Sequence, residues 1–244
     1  MSDGVLLIHA FPVDARMWDA QREALGGLAV AAPHLPGFGG TEPSGDVMTM
    51  ASAASRCLEA MDAAGIDRAL ACGLSMAGYV ALELWRTARE RVRGLVLANT
   101  RSGADTEEGA AGRRSLAERL RAEGNGFLVE SPPPLLGAGA SAELWAWVKG
   151  VVADQPAEAI AAAAAGMAER PDSSPDLAGI DVPTLVITSE ADTLIPPDVS
   201  APMADLIPGA ELAVIEGAGH LSNLERSGEF SELLADHASR CGLS

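Results

Sequence analysis

Lysine is almost absent from this sequence of 244 residues, which has a single lysine and 17 basic residues in all against 34 acidic ones. The formal net charge of −17 argues against a nucleic-acid partner, because phosphate backbones are bound by clustered Lys and Arg side chains. The same shortage of basic residues argues against binding to an anionic membrane surface. We expect the acidic surface to keep the protein soluble.

Cysteine and long apolar runs are also scarce. The N-terminal residues lack the basic flank and the apolar length of a secretory signal, and the alanine-rich stretch 157–168 contains Glu158, so no membrane span is expected. The Gly37-x-Gly39 pair is not followed by a helix start, and no His or Cys spacing is typical of a metal site, so we expect no cofactor and no metal. The three cysteines form no spaced framework, which favours free thiols in a reducing cytoplasm: Cys57, Cys72 and Cys241.

Six short apolar runs alternate with longer helix-like stretches. The runs cover residues 5–8, 28–32, 69–72, 95–98, 185–187 and 212–215. Continuous apolar runs are typical of strands covered on both faces, and strand–helix alternation favours a parallel sheet. The predicted fold class is therefore α/β, a single domain over 1–244 whose central sheet has about six mostly parallel strands flanked by helices.

Residues from about 102 to 175 interrupt this alternation. They show helical patterns over 110–123, 140–152 and 157–169 but no clear strand, whereas a crossover between parallel strands needs only one helix. We interpret the segment as a helical lid inserted over the strand ends; the alternative is three ordinary helices of the outer layer. Its large apolar residues are candidates for substrate binding, or only pack the segment onto the core: Phe127, Leu135, Trp145 and Trp147.

The segment from Gly73 to Ala77, Gly-Leu-Ser-Met-Ala, lies between an apolar strand and a helix. This is the context of a nucleophile elbow, in which a serine occupies a strained turn and small neighbours allow the backbone to come close. We therefore predict that Ser75 is a catalytic nucleophile. The alternative is a glycine-rich turn in which Ser75 only caps the helix.

A serine hydroxyl needs a neighbouring base and a third group that orients the base. His220 lies in a loop after the last apolar run. Loops that follow parallel strands leave the sheet at its carboxyl edge, so this loop can reach Ser75, and His220 is predicted to be the base. Asp192 follows the fifth run and is predicted to orient His220, with Glu190 as the alternative acid. The other histidines are expected to have other roles: a structural hydrogen bond for His9, a turn or cap for His34 and a solvated helix position for His237.

Two backbone amides are candidates for binding the oxyanion of an acyl-transfer intermediate. Met76 directly follows Ser75 at a helix N-terminus, where N–H groups have no intrahelical acceptor. The loop after the first strand should supply the second donor, and Phe11 is the candidate because Pro12 has no N–H. Phe11 and Met76 are therefore predicted to form an oxyanion hole.

These segments, in this order, resemble the α/β-hydrolase superfamily. The chain order Ser75, Asp192, His220 matches its Ser–acid–His order, and residues 9–12, His-Ala-Phe-Pro, resemble its His-Gly-x-Pro oxyanion loop. The segments 35–41, 182–192 and 217–220 resemble further blocks of the superfamily, and Glu225 also fits.

The sequence departs from the superfamily pattern at two glycines and at its start. Ala10 and Ala77 stand where the pattern has Gly, which is expected to tighten the pocket slightly. The chain starts at what would be the third of the usual eight strands, so the sheet is expected to lack the first two.

The resemblance implies a serine hydrolase that cleaves a small to medium apolar carboxylic ester, or a lactone, through an acyl-enzyme. Two alternatives remain open: carbon–carbon, amide or perhydrolysis chemistry on the same triad, and a non-catalytic ligand receptor of the same fold. A haloalkane or epoxide hydrolase is disfavoured, because that class needs a carboxylate nucleophile and position 75 is Ser. The expected partner is a small-molecule substrate.

Overall fold

Six strands form one parallel sheet in the computed structural model, which describes residues 2–243. The strands lie in the order β2-β1-β3-β4-β5-β6, and every neighbouring pair is parallel. This confirms the predicted fold class and strand number. The strands are β1 Asp3–Ile8, β2 Val30–Ala31, β3 Arg68–Leu74, β4 Val92–Ala98, β5 Thr184–Ser189 and β6 Glu211–Ile215.

Burial follows the apolar runs in the centre of the sheet but not at its β6 edge. Consecutive residues of β1, β3, β4 and β5 are buried, and since successive side chains point to opposite faces, both faces of these strands are covered. On β6, Leu212 and Val214 are exposed. An apolar run therefore identified a strand here without showing that the strand is covered.

Helices pack on the sheet and on one another. α2 packs on α3, which contacts β1, β3 and β4; α1 packs on α11, which contacts β6. No helix among residues 2–243 is long and apolar enough to cross a membrane. The helices are α1 Asp19–Ala24, α2 Met50–Ala63, α3 Met76–Thr87, α4 Glu107–Glu123, α5 Gly126–Glu130, α6 Ala142–Ala153, α7 Ala157–Ala168, α8 Pro197–Ser200, α9 Pro202–Leu206, α10 Ser222–Glu225 and α11 Ser227–Arg240.

The chain between β4 and β5 is helical. It forms α4 to α7 and a final 3-10 helix, Ser174–Gly179, with α4 packed on α7. Two hydrogen bonds join this segment to the loop after β1: Gln155 Nε2 donates to Asp14 Oδ2 at 2.9 Å, and Arg16 Nη1 donates to Asp154 Oδ2 at 2.9 Å. The interpretation of the segment as a lid stays a prediction.

The parallel register aligns the carboxyl ends of the central strands. Ile8 pairs with Gly73, Leu74 pairs with Ala98, and Ala98 pairs with Ile187. The loops that follow β1, β3, β4, β5 and β6 therefore leave the sheet at one edge. In open α/β sheets this edge is where ligands bind.

Candidate active site

Ser75 occupies a strained turn between β3 and α3. Its φ is +59°, which is uncommon for a residue with a side chain. A Cβ on Gly73 would lie 2.2 Å from the Ala77 carbonyl oxygen, so the turn requires glycine at position 73. The Ser75 side chain makes no hydrogen bond to the helix end, which contradicts the alternative that it only caps α3.

Asp192 is a buried carboxylate with four hydrogen bonds. Oδ1 accepts from the backbone N–H groups of Leu194 at 2.8 Å and Ile195 at 3.0 Å. Oδ2 accepts from Asn99 Nδ2 at 2.9 Å and is 2.8 Å from His220 Nδ1. Burial alone would raise the pKa of Asp192, but hydrogen bonds led by that from His220 lower it below its usual value. The carboxylate is therefore ionised near neutral pH.

His220 is buried and oriented by Asp192. An ionised Asp192 can only accept a hydrogen bond, so Nδ1 of His220 carries a proton and Nε2 keeps its lone pair in the neutral ring. The imidazole thus has the tautomer that a general base needs.

The loop that carries His220 is held by the segment between α5 and α6. The N–H of Leu221 donates to the Leu135 carbonyl at 2.8 Å. Glu225 accepts from the N–H of Gly219 at 2.8 Å and from the N–H of Gly137 at 2.9 Å. A Cβ on Gly219 would lie 2.2 Å from the Gly137 nitrogen, so the two segments approach this closely only with glycine there.

A cavity of about 230 Å³ brings Ser75 and His220 together at the carboxyl edge of the sheet. Asp192 lies behind His220, so the three predicted triad residues meet in one place. The lining combines apolar side chains with two arginines: Phe11, Ser75, Tyr79, Arg101, Arg113, Leu116, Pro133, Leu135, Met167, Leu194, Ile195 and His220.

Of the four residues predicted to bind substrate, Leu135 alone is among those that line this cavity. Phe127 instead lies under the guanidinium of Arg119, 3.8 Å from the ring centroid. Phe127, Trp145 and Trp147 are not among the residues that line the cavity that contains Ser75, so their role in substrate binding stays a prediction.

The two tryptophans of α6 differ in their burial. α6 buries Val148, Val151 and Val152, a spacing that defines one helix face. Trp147 lies outside this face and is 36% exposed, while Trp145 is half-buried against the core. Trp145 therefore fits the packing alternative, whereas Trp147 is exposed.

Two unpaired backbone amides flank Ser75. Met76 is the first residue of α3, and Phe11 lines the cavity. No backbone hydrogen bond within residues 2–243 uses the N–H of either residue. Both amides are thus available to an oxyanion, as an oxyanion hole requires.

His9 and His34 are not among the residues that line the cavity. Nε2 of His9 accepts from the N–H of Leu35 at 3.0 Å, and Nδ1 is 3.1 Å from the Ala10 carbonyl oxygen. Burial lowers the pKa of His9 to about 4, so the ring is neutral and structural, as predicted. Half-buried His34 lies in the loop after β2, just before the turn at residues 36–37, and its Nδ1 is 3.4 Å from the backbone nitrogen of Ala15.

His237 is not at the solvated position that the sequence predicted, and the alternative acid, Glu190, does not bind His220. His237 was predicted to be solvated and is buried, because it shares the inward face of α11 with Phe230 and Leu234. Burial lowers the pKa of His237. Glu190 is exposed and accepts from the Gly217 N–H at 3.0 Å, so the alternative acid serves the loop and not His220.

Asn99 is a residue of this site that sequence reasoning missed. It directly follows β4, is fully buried and has a φ of +45°. Besides its bond to Asp192, its Nδ2 donates to Ser189 Oγ at 2.9 Å and its Oδ1 accepts from Ser222 Oγ at 2.7 Å. Its place after the fourth apolar run, at the edge that carries Ser75, was the signal that could have identified it.

Comparison with solved structures shows close similarity over nearly the whole chain. Residues 5–233 match the model of the alpha/beta hydrolase family. A thermophilic esterase from Thermogutta terrifontis, solved with malate bound, is 36% identical with a TM-score of 0.93, covering 99% of this chain and 90% of that one. The enol-lactonase from Burkholderia xenovorans is 27% identical with a TM-score of 0.88, covering 98% of this chain and 92% of that one.

Curated relatives match over differing shares of their length. The 3-oxoadipate enol-lactonase 1 of Acinetobacter baylyi is 28% identical over 236 residues, or 95% of this chain and 86% of that protein. The matches to two other curated relatives span 27% and 63% of those proteins.

Proposed function

The chain belongs to the alpha/beta hydrolase family, and on that premise we propose that it hydrolyses a small carboxylic ester or a lactone, with Ser75 as the nucleophile. The observation that carries the proposal is the buried, hydrogen-bonded pair of Asp192 and His220 beside the cavity that Ser75 lines. The esterase and the two enol-lactonases to which the chain is similar support the same reaction class.

In the first half of the reaction, Nε2 of His220 takes the hydroxyl proton of Ser75 while Oγ attacks the carbonyl carbon. The tetrahedral oxyanion that forms accepts hydrogen bonds from the N–H groups of Phe11 and Met76. Asp192 stabilises the imidazolium, as its lowered pKa permits. The carbon–oxygen bond to the leaving group then breaks, and His220 returns the proton to the departing alkoxide.

The second half of the reaction repeats these roles with water. His220 takes a proton from a water molecule, whose oxygen attacks the carbonyl carbon of the acyl-enzyme. The bond to Ser75 Oγ breaks and His220 reprotonates that oxygen, so the products are a carboxylic acid and an alcohol. With a lactone, both groups remain in one open-chain hydroxy acid.

The size and walls of the cavity support a small substrate. Its volume of about 230 Å³ is below the roughly 300–1,000 Å³ of pockets for drug-sized ligands. The segment between β4 and β5 supplies several lining residues, Arg113 and Leu116 from α4 and Met167 from α7, and we propose that it acts as the lid of this site. Most other lining side chains are apolar and suit an acyl chain.

A fluorophosphonate probe with a panel of short-chain esters, lactones and amides tests the proposal. Wild type should be labelled and Ser75→Ala should not, with kcat falling by about 10⁶-fold. Ser55→Ala is the matched control, because Ser55 is exposed on α2. Cys72→Ala should also keep activity, because burial raises the pKa of that thiol.

Three outcomes would contradict parts of the proposal. Labelling that persists in Ser75→Ala would reject Ser75 as the nucleophile. A folded wild type that is not labelled would favour the ligand-receptor alternative. Labelling at Ser75 without hydrolysis of any ester or lactone would favour other chemistry on the same triad.

A further inference from the structure

Two arginines line the cavity beside the proposed nucleophile. Arg101 and Arg113 share this wall with Ser75 and His220, and the lining includes no Asp or Glu side chain. The chain as a whole has twice as many acidic as basic residues. The charge of the cavity wall is thus opposite to that of the rest of the protein.

The guanidinium of Arg101 has no acceptor within residues 2–243. Arg101 lies just beyond the carboxyl end of β4, no hydrogen bond or ion pair joins its side chain to a described residue, and its Nε is buried without a partner. A guanidinium has five N–H donors in a planar fork and keeps its charge at physiological pH. Because buried donors are nearly always paired in folded proteins, an acceptor from a bound molecule would complete this site.

Arg113 is held in place by an acid that it shares with another arginine. Its Nε donates to Asp105 Oδ2 at 2.5 Å, and Arg170 Nη2 donates to Asp105 Oδ1 at 2.8 Å. Burial alone would raise the pKa of Asp105, but the hydrogen bonds from Arg170 and Arg113 hold it below its usual value. Arg113 thus shares one carboxylate with Arg170, whereas Arg101 is paired with no acid within residues 2–243, so the two arginines of the cavity wall are opposed by no Asp or Glu side chain in that wall.

We propose that the substrate is an ester or lactone with a free carboxylate, which Arg101, supported by Arg113, binds while Ser75 attacks the carbonyl. This inference rests on the proposed function of Ser75. A carboxylate suits the site because its two oxygens match the planar fork of a guanidinium. The apolar lining, including Leu116 and Met167, contacts the hydrocarbon between carboxylate and carbonyl, and the small volume limits that hydrocarbon to a few carbons.

The test compares two esters of the same shape and different charge. Monoethyl glutarate ends in a carboxylate, and ethyl 5-methylhexanoate has an isopropyl group in its place. Wild type is expected to have a kcat/KM at least about tenfold higher for monoethyl glutarate, the size of one charge-assisted hydrogen bond. Arg101→Met should lower kcat/KM for monoethyl glutarate by about 10- to 100-fold. The same variant should change kcat/KM for ethyl 5-methylhexanoate by less than about threefold.

Further variants separate the charge from the fold. Arg113→Met should also lower kcat/KM for monoethyl glutarate, and Arg101→Lys should lose less than Arg101→Met because it keeps the charge but not the fork. Arg114→Met is the matched control, because Arg114 is exposed on α4 beside Arg113 and does not line the cavity. It should leave the preference for monoethyl glutarate unchanged.

The inference and the proposed function fail in different ways. A wild type that prefers the neutral ester, or an Arg101→Met variant that loses activity equally on both esters, would overturn the inference and leave the esterase proposal intact. If wild type hydrolysed neither ester and did not react with fluorophosphonate, the proposed function would be wrong. Calorimetry with glutarate dianion then decides the inference: binding at least about tenfold weaker in Arg101→Met supports it, and equal binding overturns it.

Discussion

Replacing Asn99 should slow catalysis, although Asn99 does not line the cavity. Asn99 Nδ2 donates to Oδ2 of Asp192, the same oxygen that holds His220. In Asn99→Ala this oxygen keeps one partner, and Ser222 loses the acceptor for its hydroxyl. We infer that Asn99 is a positioning residue, which keeps Asp192 aligned with the imidazole.

The expected magnitudes follow from the hydrogen bonds that are lost. A hydrogen bond to a charged group is worth about 1.5–3 kcal/mol, so Asn99→Ala should lower the free energy of unfolding by about that amount. A misaligned base costs on the order of 10²-fold in rate, so kcat should fall by about 10- to 100-fold while KM changes little. Asn99→Asp should lose more, because a second carboxylate beside Asp192 raises its pKa.

The pH dependence of stability gives an independent readout. The lowered pKa of Asp192 contributes stability above the pKa of the unfolded carboxyl, and this stability is lost as pH falls through the folded pKa. Without the donor from Asn99 the folded pKa rises toward its ordinary value. The acid limb of the stability curve should therefore move to higher pH in Asn99→Ala.

Gln21→Ala is the matched control. Gln21 is a fully buried amide on α1 that donates to the Asn223 carbonyl and Ser231 Oγ, at 3.2 and 3.1 Å. It should destabilise the fold to a similar extent but leave kcat nearly unchanged. The measurements are urea unfolding and initial rates with 4-nitrophenyl acetate. Equal loss of kcat in Gln21→Ala and Asn99→Ala, at equal loss of stability, would refute a positioning role.

Two further predictions concern the scaffold. Burial lowers the pKa of His9 from 6.5 to about 4, so the unfolded chain binds more protons than the folded one between these pH values, and about 3 kcal/mol of stability should be lost as pH falls from 6.5 to 4. In urea unfolding at a series of pH values, the stability of His9→Gln should depend less steeply on pH than that of wild type. An equally steep dependence in the two proteins would contradict this account. Gly73→Ala should lower the free energy of unfolding by more than about 3 kcal/mol, because the added Cβ would meet the Ala77 carbonyl. Gly112→Ala is the control: it adds a methyl group at an exposed position of α4 and should be neutral or stabilising. Equal effects of the two substitutions in thermal unfolding would show that the turn at Gly73 tolerates a side chain.

Local pattern was enough to predict much of the sheet and the proposed triad. The six apolar runs correspond to the six strands, and the run 212–215 became β6 even though Leu212 and Val214 are exposed. A parallel sheet places the loops after its strands at one edge. Ser75, Asp192 and His220 each follow a strand, so their positions in the chain already implied that they lie at the same edge. The periodicity of α11 also contained the burial of His237, which the sequence interpretation overlooked.

Which side chains form the wall of the cavity was decided by the packing of segments distant in the sequence. Trp145 and Trp147 are large and apolar, yet neither is among the residues that line the cavity with Ser75. Arg101, Arg113 and Asn99 carry no local motif; they become parts of a site because β4, α4 and α7 come together around the end of β3. Strand and turn propensities depend on neighbours in the chain, whereas the lining and charge of a cavity depend on which faces remain after the core is packed.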